Sequence, residues 1–500
     1  MELETALFRY FRYKSFRPLQ KDIIESILKG NDTVALLPTG AGKSICFQLP
    51  ALMFPGITIV VTPLIALMQD QVDNLIKKGV PATYISSTLS RTEVSERIEL
   101  LKLQKYKLLY VAPERLKHKR FIRLCKKLSI QLVVVDEAHC MIEWGADFRP
   151  EYLEIKHYIH QLPRRPVIAA FTATATHKTI HAITEYLNLQ TPSYIRASFL
   201  RNNLQINVFE TTSFQMQEIL LLFLLKKHQG QSGIIYVSTR SAAQKITEFI
   251  QKFLHTATTV GYYHGGVPAA QRQYIQKLFM ADALQIVVAT SAFGMGVDKA
   301  NISFIIHFHL PGSIEAYYQE IGRAGRDGTA AHCYLLYNQK NLNIQSTLHE
   351  ESTSKEARSY AIQRLHAVEK YIDSKLCRMQ SILMHFGEKK CLPCGTCDNC
   401  NNQTSGKDYL SISSVLQKIV APVEYSQIVS LHQKRLAIQN SFKLSHYAQV
   451  LSDYQLLLMH MYNPKSHADF ATIPGCGTGW IKQWAPLFLQ KSDKIAASIK

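Results

Sequence analysis

Leu37-Pro38-Thr39-Gly40-Ala41-Gly42-Lys43-Ser44 follows a β-branched apolar run, Thr33–Leu37, and opens into a helical stretch. Glycines at 40 and 42 let backbone N–H groups wrap phosphates, Thr39 lies in the same loop, and Lys43 reaches the outer phosphates. The Ser44 hydroxyl suits Mg²⁺. The strict phosphate-loop pattern asks for Gly at 37, where this chain has Leu, so the strand–loop–helix context carries the reading. A plain glycine turn would leave Lys43 unexplained. Downstream, Val133-Val134-Val135-Asp136-Glu137-Ala138-His139 supplies the complement. An apolar strand delivers Asp136 at its C-terminal end, where open α/β sheets present ligands. Asp136 suits Mg²⁺, and Glu137 suits orienting or deprotonating a water. The pair predicts hydrolysis of a nucleoside triphosphate, ATP first among them.

Outward from this pair, short apolar runs alternate with helical stretches. They are Thr33–Leu37, Thr58–Val61, Leu108–Val111, Leu132–Val135 and Val167–Phe171, then Gly233–Val237, Gln285–Thr290, Ser303–Phe308 and Cys333–Tyr337. Near-continuous apolar strands imply parallel sheets covered on both faces. The gap between the two sets places a join near Ser198–Asn203. The expected fold is α/β, with two parallel-sheet lobes over 1–200 and 201–341. A helical module with a cysteine-rich loop follows over 342–402, and a small, mainly helical C-terminal domain over 403–500.

Lys and Arg total 57 against 38 Asp and Glu, a net charge of +19. Such an excess favours a polyanionic partner, nucleic acid before others. No apolar stretch is long enough to span a bilayer; the longest dense run, Ile219–Leu225, reads as a buried helix. The N-terminus does not read as a secretory signal. Four of the ten cysteines crowd into 391–400, which suits one metal site in an intracellular protein rather than a disulfide framework. Spacing alone leaves zinc and an iron–sulfur cluster both open there.

Gln319-Glu320-Ile321-Gly322-Arg323-Ala324-Gly325-Arg326-Asp327-Gly328 is the sharpest motif of the second half. Small residues between the arginines let both guanidiniums approach a phosphate across a cleft. Ala289-Thr290-Ser291-Ala292-Phe293-Gly294-Met295-Gly296-Val297-Asp298 follows a strand, with glycines that permit close backbone approach.

With these motifs in place, the chain resembles superfamily-two helicases, and within them the RecQ DNA helicase family, over residues 8–402. The resemblance implies two RecA-like lobes sharing one ATP, with Lys43, Asp136, Glu137 and His139 from the first and Arg323 and Arg326 from the second. Arg326 would be the arginine finger. It implies that Tyr13 stacks on adenine and that Arg17 and Gln20 contact the base. Trp144, Phe148 and Arg149 resemble the family's aromatic-rich loop, which touches single-stranded bases; Thr172-Ala173-Thr174 resembles its coupling motif. Thr62–Gln71, Ala112–Arg115, Arg240 and Thr290 resemble its DNA-contacting segments. For the cysteines it implies structural zinc on Cys377, Cys394, Cys397 and Cys400, with Cys391 spare. The implied cofactors are ATP, Mg²⁺ and Zn²⁺, and the partner is single-stranded and partly duplex DNA, with no membrane.

The expected activity is ATP-dependent 3′-to-5′ unwinding in recombination or repair, in a bacterial cytoplasm or a nucleus. An RNA helicase, a translocase that does not unwind, and a catalytically silent scaffold are the alternatives. Ile473-Pro474-Gly475-Cys476-Gly477-Thr478-Gly479-Trp480 reads either as a helix–hairpin–helix turn or as a plain Pro-Gly turn between helices.

Overall fold

The computed structural model describes residues 2–38, 40–63, 65–141, 150–173, 176–254, 258–294, 299–338, 355–389, 391–401 and 413–489. Thirteen strands form two sheets. In the first lie β1 (Thr33–Leu36), β2 (Ile57–Val61), β3 (Ala82–Ile85), β4 (Leu108–Val111), β5 (Ile130–Val135), β6 (Val167–Thr172) and β7 (Ser193–Arg196). They are ordered β3-β4-β2-β5-β6-β1-β7. In the second lie β8 (Leu204–Glu210), β9 (Ser232–Tyr236), β10 (Val260–Tyr263), β11 (Ile286–Ala289), β12 (Ile302–His307) and β13 (Ala331–Tyr337), ordered β10-β11-β9-β12-β13-β8. Every recorded pairing is parallel.

The continuous apolar runs form because helices cover both faces of the inner strands. All four residues of β1 and all five of β2 are buried. Register then aligns the strand ends that matter: Leu36 pairs with Thr172, Val135 with Ala170, and Val61 with Val135. The loops after β1, β5 and β6 therefore open at one rim of the first sheet.

Within helix Phe214–Lys227, Ile219 to Leu225 are buried without a break, so that stretch is covered on every side. Ser213 caps its start by accepting from the Met216 N–H at 3.2 Å. Its outer side carries the C-terminal helices, among them Pro422–Ser441 and Asp453–Tyr462. Lys226 pairs with Glu424 at 2.7 Å, and the Phe223 and His460 rings stack at 6.1 Å. The apolar core of the second sheet thus continues into residues 413–489. Helices Lys355–Asp373 and Arg378–His385 lead to the cysteine loop. Among the described residues no helix is long and apolar enough to cross a membrane.

Candidate active site

The phosphate loop ends at Gly42, which precedes helix Lys43–Met53 and aims that helix's free N–H groups into the cleft. Lys43 Nζ lies 3.1 Å from Glu137 Oε1, so the two sequence motifs meet. Asp136 follows β5 directly, its N–H bonded to the Val61 carbonyl at 2.9 Å. Glu137 adopts φ 48°, a left-handed conformation that costs a non-glycine residue about 1 kcal/mol. Its N–H donates to Asp136 Oδ1 at 3.0 Å, and Tyr152 Oη donates to the Asp136 carbonyl at 3.0 Å. The strained turn thereby holds two carboxylates side by side against one ammonium.

Burial disfavours charge on every member, and pairing decides the outcome. Burial and the neighbouring Glu137 push the Asp136 carboxyl up to about 6. Burial acts upward on Glu137 as well, but Lys43 and His139 outweigh it and hold that carboxyl below its usual value. Burial acts downward on Lys43, and there Glu137 and Asp136 prevail, keeping the ammonium charged.

The second lobe closes the site. Arg323 is 6% exposed and donates to the Gly294 carbonyl. Its Nε has no hydrogen-bond partner among the described residues, and its charge acts on Glu137. Arg326 acts electrostatically on Lys43, and its Cγ would lie 3.7 Å from a Cβ placed on Gly40. From across the cleft, Arg323 thus faces the acidic pair and Arg326 faces the phosphate loop. They ride at the end of helix Ile314–Ile321, which a buried His307–Glu320 contact of 2.7 Å ties to β12.

His139 joins the lobes. Its Nδ1 stands 2.9 Å from Thr172 Oγ1 and 3.4 Å from Glu137 Oε2, while Gln319 Nε2 donates to its Nε2 at 3.2 Å. Gln319 was not singled out from sequence, although it opens the motif that carries both arginines. Gln71 is a second such residue. Its Nε2 donates to Ser44 Oγ at 2.9 Å, and its Oε1 accepts from Gln48 and Tyr110 at 3.0 and 3.1 Å. That network orients the hydroxyl read as a Mg²⁺ ligand.

The three residues expected at adenine sit beside the phosphate loop. Gln20 is buried and donates to the carbonyls of Ala41 and Gly42, each at 3.1 Å, while its Oε1 accepts the Arg17 N–H at 2.9 Å. The Arg17 guanidinium donates to the Gly40 carbonyl. Tyr13 is exposed near Lys78, ring centre to Nζ 5.9 Å. Thr39 lies outside the described residues, as do Trp144, Phe148, Arg149, Thr174 and Asp298. Arg240 begins helix Arg240–Phe253 and lies against Gly266 and His264; Thr290 follows β11. The Ile473–Trp480 hairpin joins two helices, with Trp480 Nε1 bonded to the Val450 carbonyl at 2.5 Å.

Sulfur atoms of Cys377, Cys394, Cys397 and Cys400 all lie within 4.8 Å of one another. Zn–S bonds of about 2.3 Å in a tetrahedron put sulfurs roughly 3.8 Å apart, so this set fits zinc after a small contraction. Backbone N–H groups of Cys394 and Arg378 point at the sulfurs of Cys377 and Cys397, at 3.1 and 3.4 Å, as anionic thiolates require. Arg378 also pairs with Asp398 at 2.9 Å, fastening the loop to its helix. Cys391 stands apart, its thiol donating to the Glu388 carbonyl at 3.4 Å.

Comparison with known proteins agrees along the chain. A DEAD/DEAH box helicase profile matches residues 17–183, a helicase conserved C-terminal domain matches 215–328, and a RecQ zinc-binding profile matches 339–401. The ATP-dependent DNA helicase RecQ of Bacillus subtilis is 39% identical over 447 residues, covering 88% of this chain and 75% of that protein. The RecQ of Pasteurella multocida is 40% identical over 395 residues, 79% of this chain and 61% of that one. Mycobacterium smegmatis helicase Lhr, solved with single-stranded DNA and AMP-PNP, shares the fold at 17% identity. Its TM-score is 0.56, over 75% of this chain and 58% of that chain. Two parallel-sheet lobes, a four-cysteine cluster and these matches place the chain in the RecQ helicase family.

Proposed function

We propose that this protein is an ATP-driven DNA helicase in which both lobes act on one nucleotide. The observation that carries this reading is the convergence of Lys43, Asp136 and Glu137 with Arg323 and Arg326 at a single cleft. An incoming γ-phosphate competes with Glu137 for the Lys43 ammonium. The carboxylate so released is the group placed to orient water. Ser44 and Asp136 would hold Mg²⁺, which screens phosphate charge. Arg326, and Arg323 beside it, then meet negative charge developing on the transferring phosphoryl group, an effect worth about 10³–10⁵ in rate for arginine fingers.

Gly40 and Gly42 frame the phosphates with Thr39, while Tyr13, Arg17 and Gln20 form the adenine side. For Gln20 and Arg17 this requires trading their bonds to the loop carbonyls for bonds to the base. Opening and closing of the cleft with each ATP moves the lobes along single-stranded DNA in the 3′-to-5′ direction. Arg240, Thr290 and the Trp144, Phe148 and Arg149 loop grip the strand. Cys377, Cys394, Cys397 and Cys400 would hold Zn²⁺, which would supply a structural tie for the helical module. Recombination or repair of DNA, in a bacterial cytoplasm or a nucleus, is the setting that fits the family.

Steady-state ATP hydrolysis with no nucleic acid, with single-stranded DNA and with matched RNA tests the reading. Strong stimulation by DNA, abolished by Lys43→Ala, supports it. Equal stimulation by RNA would favour an RNA motor, and tight DNA binding without hydrolysis would leave a scaffold.

A further inference from the structure

The two arginines facing the cleft sit on a short segment, Gly322–Gly328, that has its own brace. Arg201 comes from the stretch between β7 and β8 that joins the lobes. Its guanidinium donates to the carbonyls of Gly322 at 3.3 Å, Ala324 at 2.9 Å and Gly325 at 3.0 Å. Asn203 Nδ2 adds bonds to the Gly325 and Thr329 carbonyls, both 2.8 Å. Five carbonyl contacts thus gather on two side chains. Gly325 holds φ 56°, and a Cβ there would lie 2.7 Å from the Thr329 carbonyl and closer still to Asn203 Nδ2. The segment is seated on Asn203 with no room to spare.

The bracing stretch is itself pinned on its far side. Glu388, just past helix Arg378–His385, accepts from the Phe199 N–H at 2.8 Å and from Ser198 Oγ at 3.0 Å. Arg196 donates to the Phe386 carbonyl, and Tyr318 Oη donates to the Phe199 carbonyl at 2.6 Å. The Phe199, Tyr318 and Phe386 rings pack on one another, Phe199 lying 5.7 and 4.7 Å from the other two centres, which are 5.3 Å apart. A stretch fixed at both ends and bonded to the arginine segment by a planar, five-donor fork can set where those arginines stand.

From this geometry we infer that Arg201 and Asn203 are positioning residues for hydrolysis, acting on Arg323 and Arg326 through the backbone that carries them. The inference rests on the proposed role of Arg326, and the test separates the two. A displacement of about 1 Å at a catalytic group can cost as much as 100-fold in rate.

The experiment measures kcat and KM for ATP under saturating single-stranded DNA, with thermal melting, in Arg201→Gln, Arg201→Lys, Asn203→Ala, Arg326→Ala and Arg201→Gln combined with Arg326→Ala. Expected are a roughly 10- to 100-fold fall in kcat for Arg201→Gln with KM and melting nearly unchanged, and partial recovery in Arg201→Lys. In the Arg326→Ala background, Arg201→Gln should add little. A full, independent penalty in that background overturns the inference while leaving the role of Arg326 intact. Wild-type turnover in Arg326→Ala itself overturns the finger reading and the inference with it. Should Arg201→Gln fail to fold, Asn203→Ala decides alone: a kcat loss masked by Arg326→Ala supports the brace, and normal kcat or additive loss refutes it.

Discussion

Gly294 sets how closely the second lobe approaches the acidic pair. A Cβ at that position would stand 2.7 Å from Arg323 Nη2, with the guanidinium carbon at 2.8 Å, so any side chain displaces the guanidinium. Gly294→Ala is expected to lower DNA-stimulated ATP turnover about tenfold or more at unchanged melting temperature. Turnover within twofold of wild type would show that Arg323 need not occupy this place. Gln319→Ala tests the bond between lobes at His139. It should reduce stimulation by DNA more than basal turnover, read as the ratio of the two rates. At this scale the sequence was most legible where chemistry demands rare residue types: a lysine after glycines, paired carboxylates after a strand, arginines between small residues. Gln71, Gln319, Arg201 and Asn203 escaped it. An amide or an arginine serves many roles, and theirs arise only when distant segments meet.

Elements follow a different logic. The apolar runs located nine strands, and the four they missed, β3, β7, β8 and β10, are the four sheet edges. An edge strand has one neighbour and a partly wet face, so it needs no continuous apolar run. β7 has no buried residue, and in β10 only Tyr263 is buried. In the cysteine loop, spacing alone offered four residues in a row; the family resemblance put Cys377 in place of Cys391, and the fold gathers that second set, leaving Cys391 aside. Zinc content per chain, measured after extensive dialysis, should be near one in wild type and Cys391→Ser and should fall sharply in Cys377→Ser. Retention by Cys377→Ser with loss in Cys391→Ser would reverse the assignment.

Two histidines, His228 buried and His309 half-buried, give the second sheet a pH limit. His228 closes the end of helix Phe214–Lys227, its Nε2 2.9 Å from Tyr334 Oη, and burial holds its pKa down at about 4. His309 accepts the Ser238 N–H at 3.0 Å, and burial likewise holds it at about 4. Unfolded histidine takes its proton near 6.5. The folded state thus binds fewer protons below that value. Its stability is full above about pH 6.5 and declines as pH falls toward 4, by up to about 3 kcal/mol for each histidine. The urea midpoint should therefore drop steadily from pH 6.5 to 5, with a shallower slope in His228→Gln. A midpoint flat across that window would contradict the account.

At the scale of the whole molecule, the first lobe meets the segment that carries the arginines through the cleft and the joining stretch meets it through Arg201, while the cysteine module holds that stretch through Glu388. The C-terminal helices extend the core of the second lobe. Sequence separated these regions by composition and motif. It could not show that they share cores, because Ile219–Leu225, covered on every side, carries no periodic signature. The central claim is that one ATP, gripped from both lobes, drives strand separation. Strand displacement from duplexes bearing a 3′ or a 5′ single-stranded tail tests it most directly, with wild type, Lys43→Ala and Arg326→Ala compared at equal DNA occupancy. The account predicts ATP-dependent displacement of the 3′-tailed duplex by wild type alone. Unwinding by either variant, or none by a wild type that hydrolyses ATP on the same DNA, would contradict it.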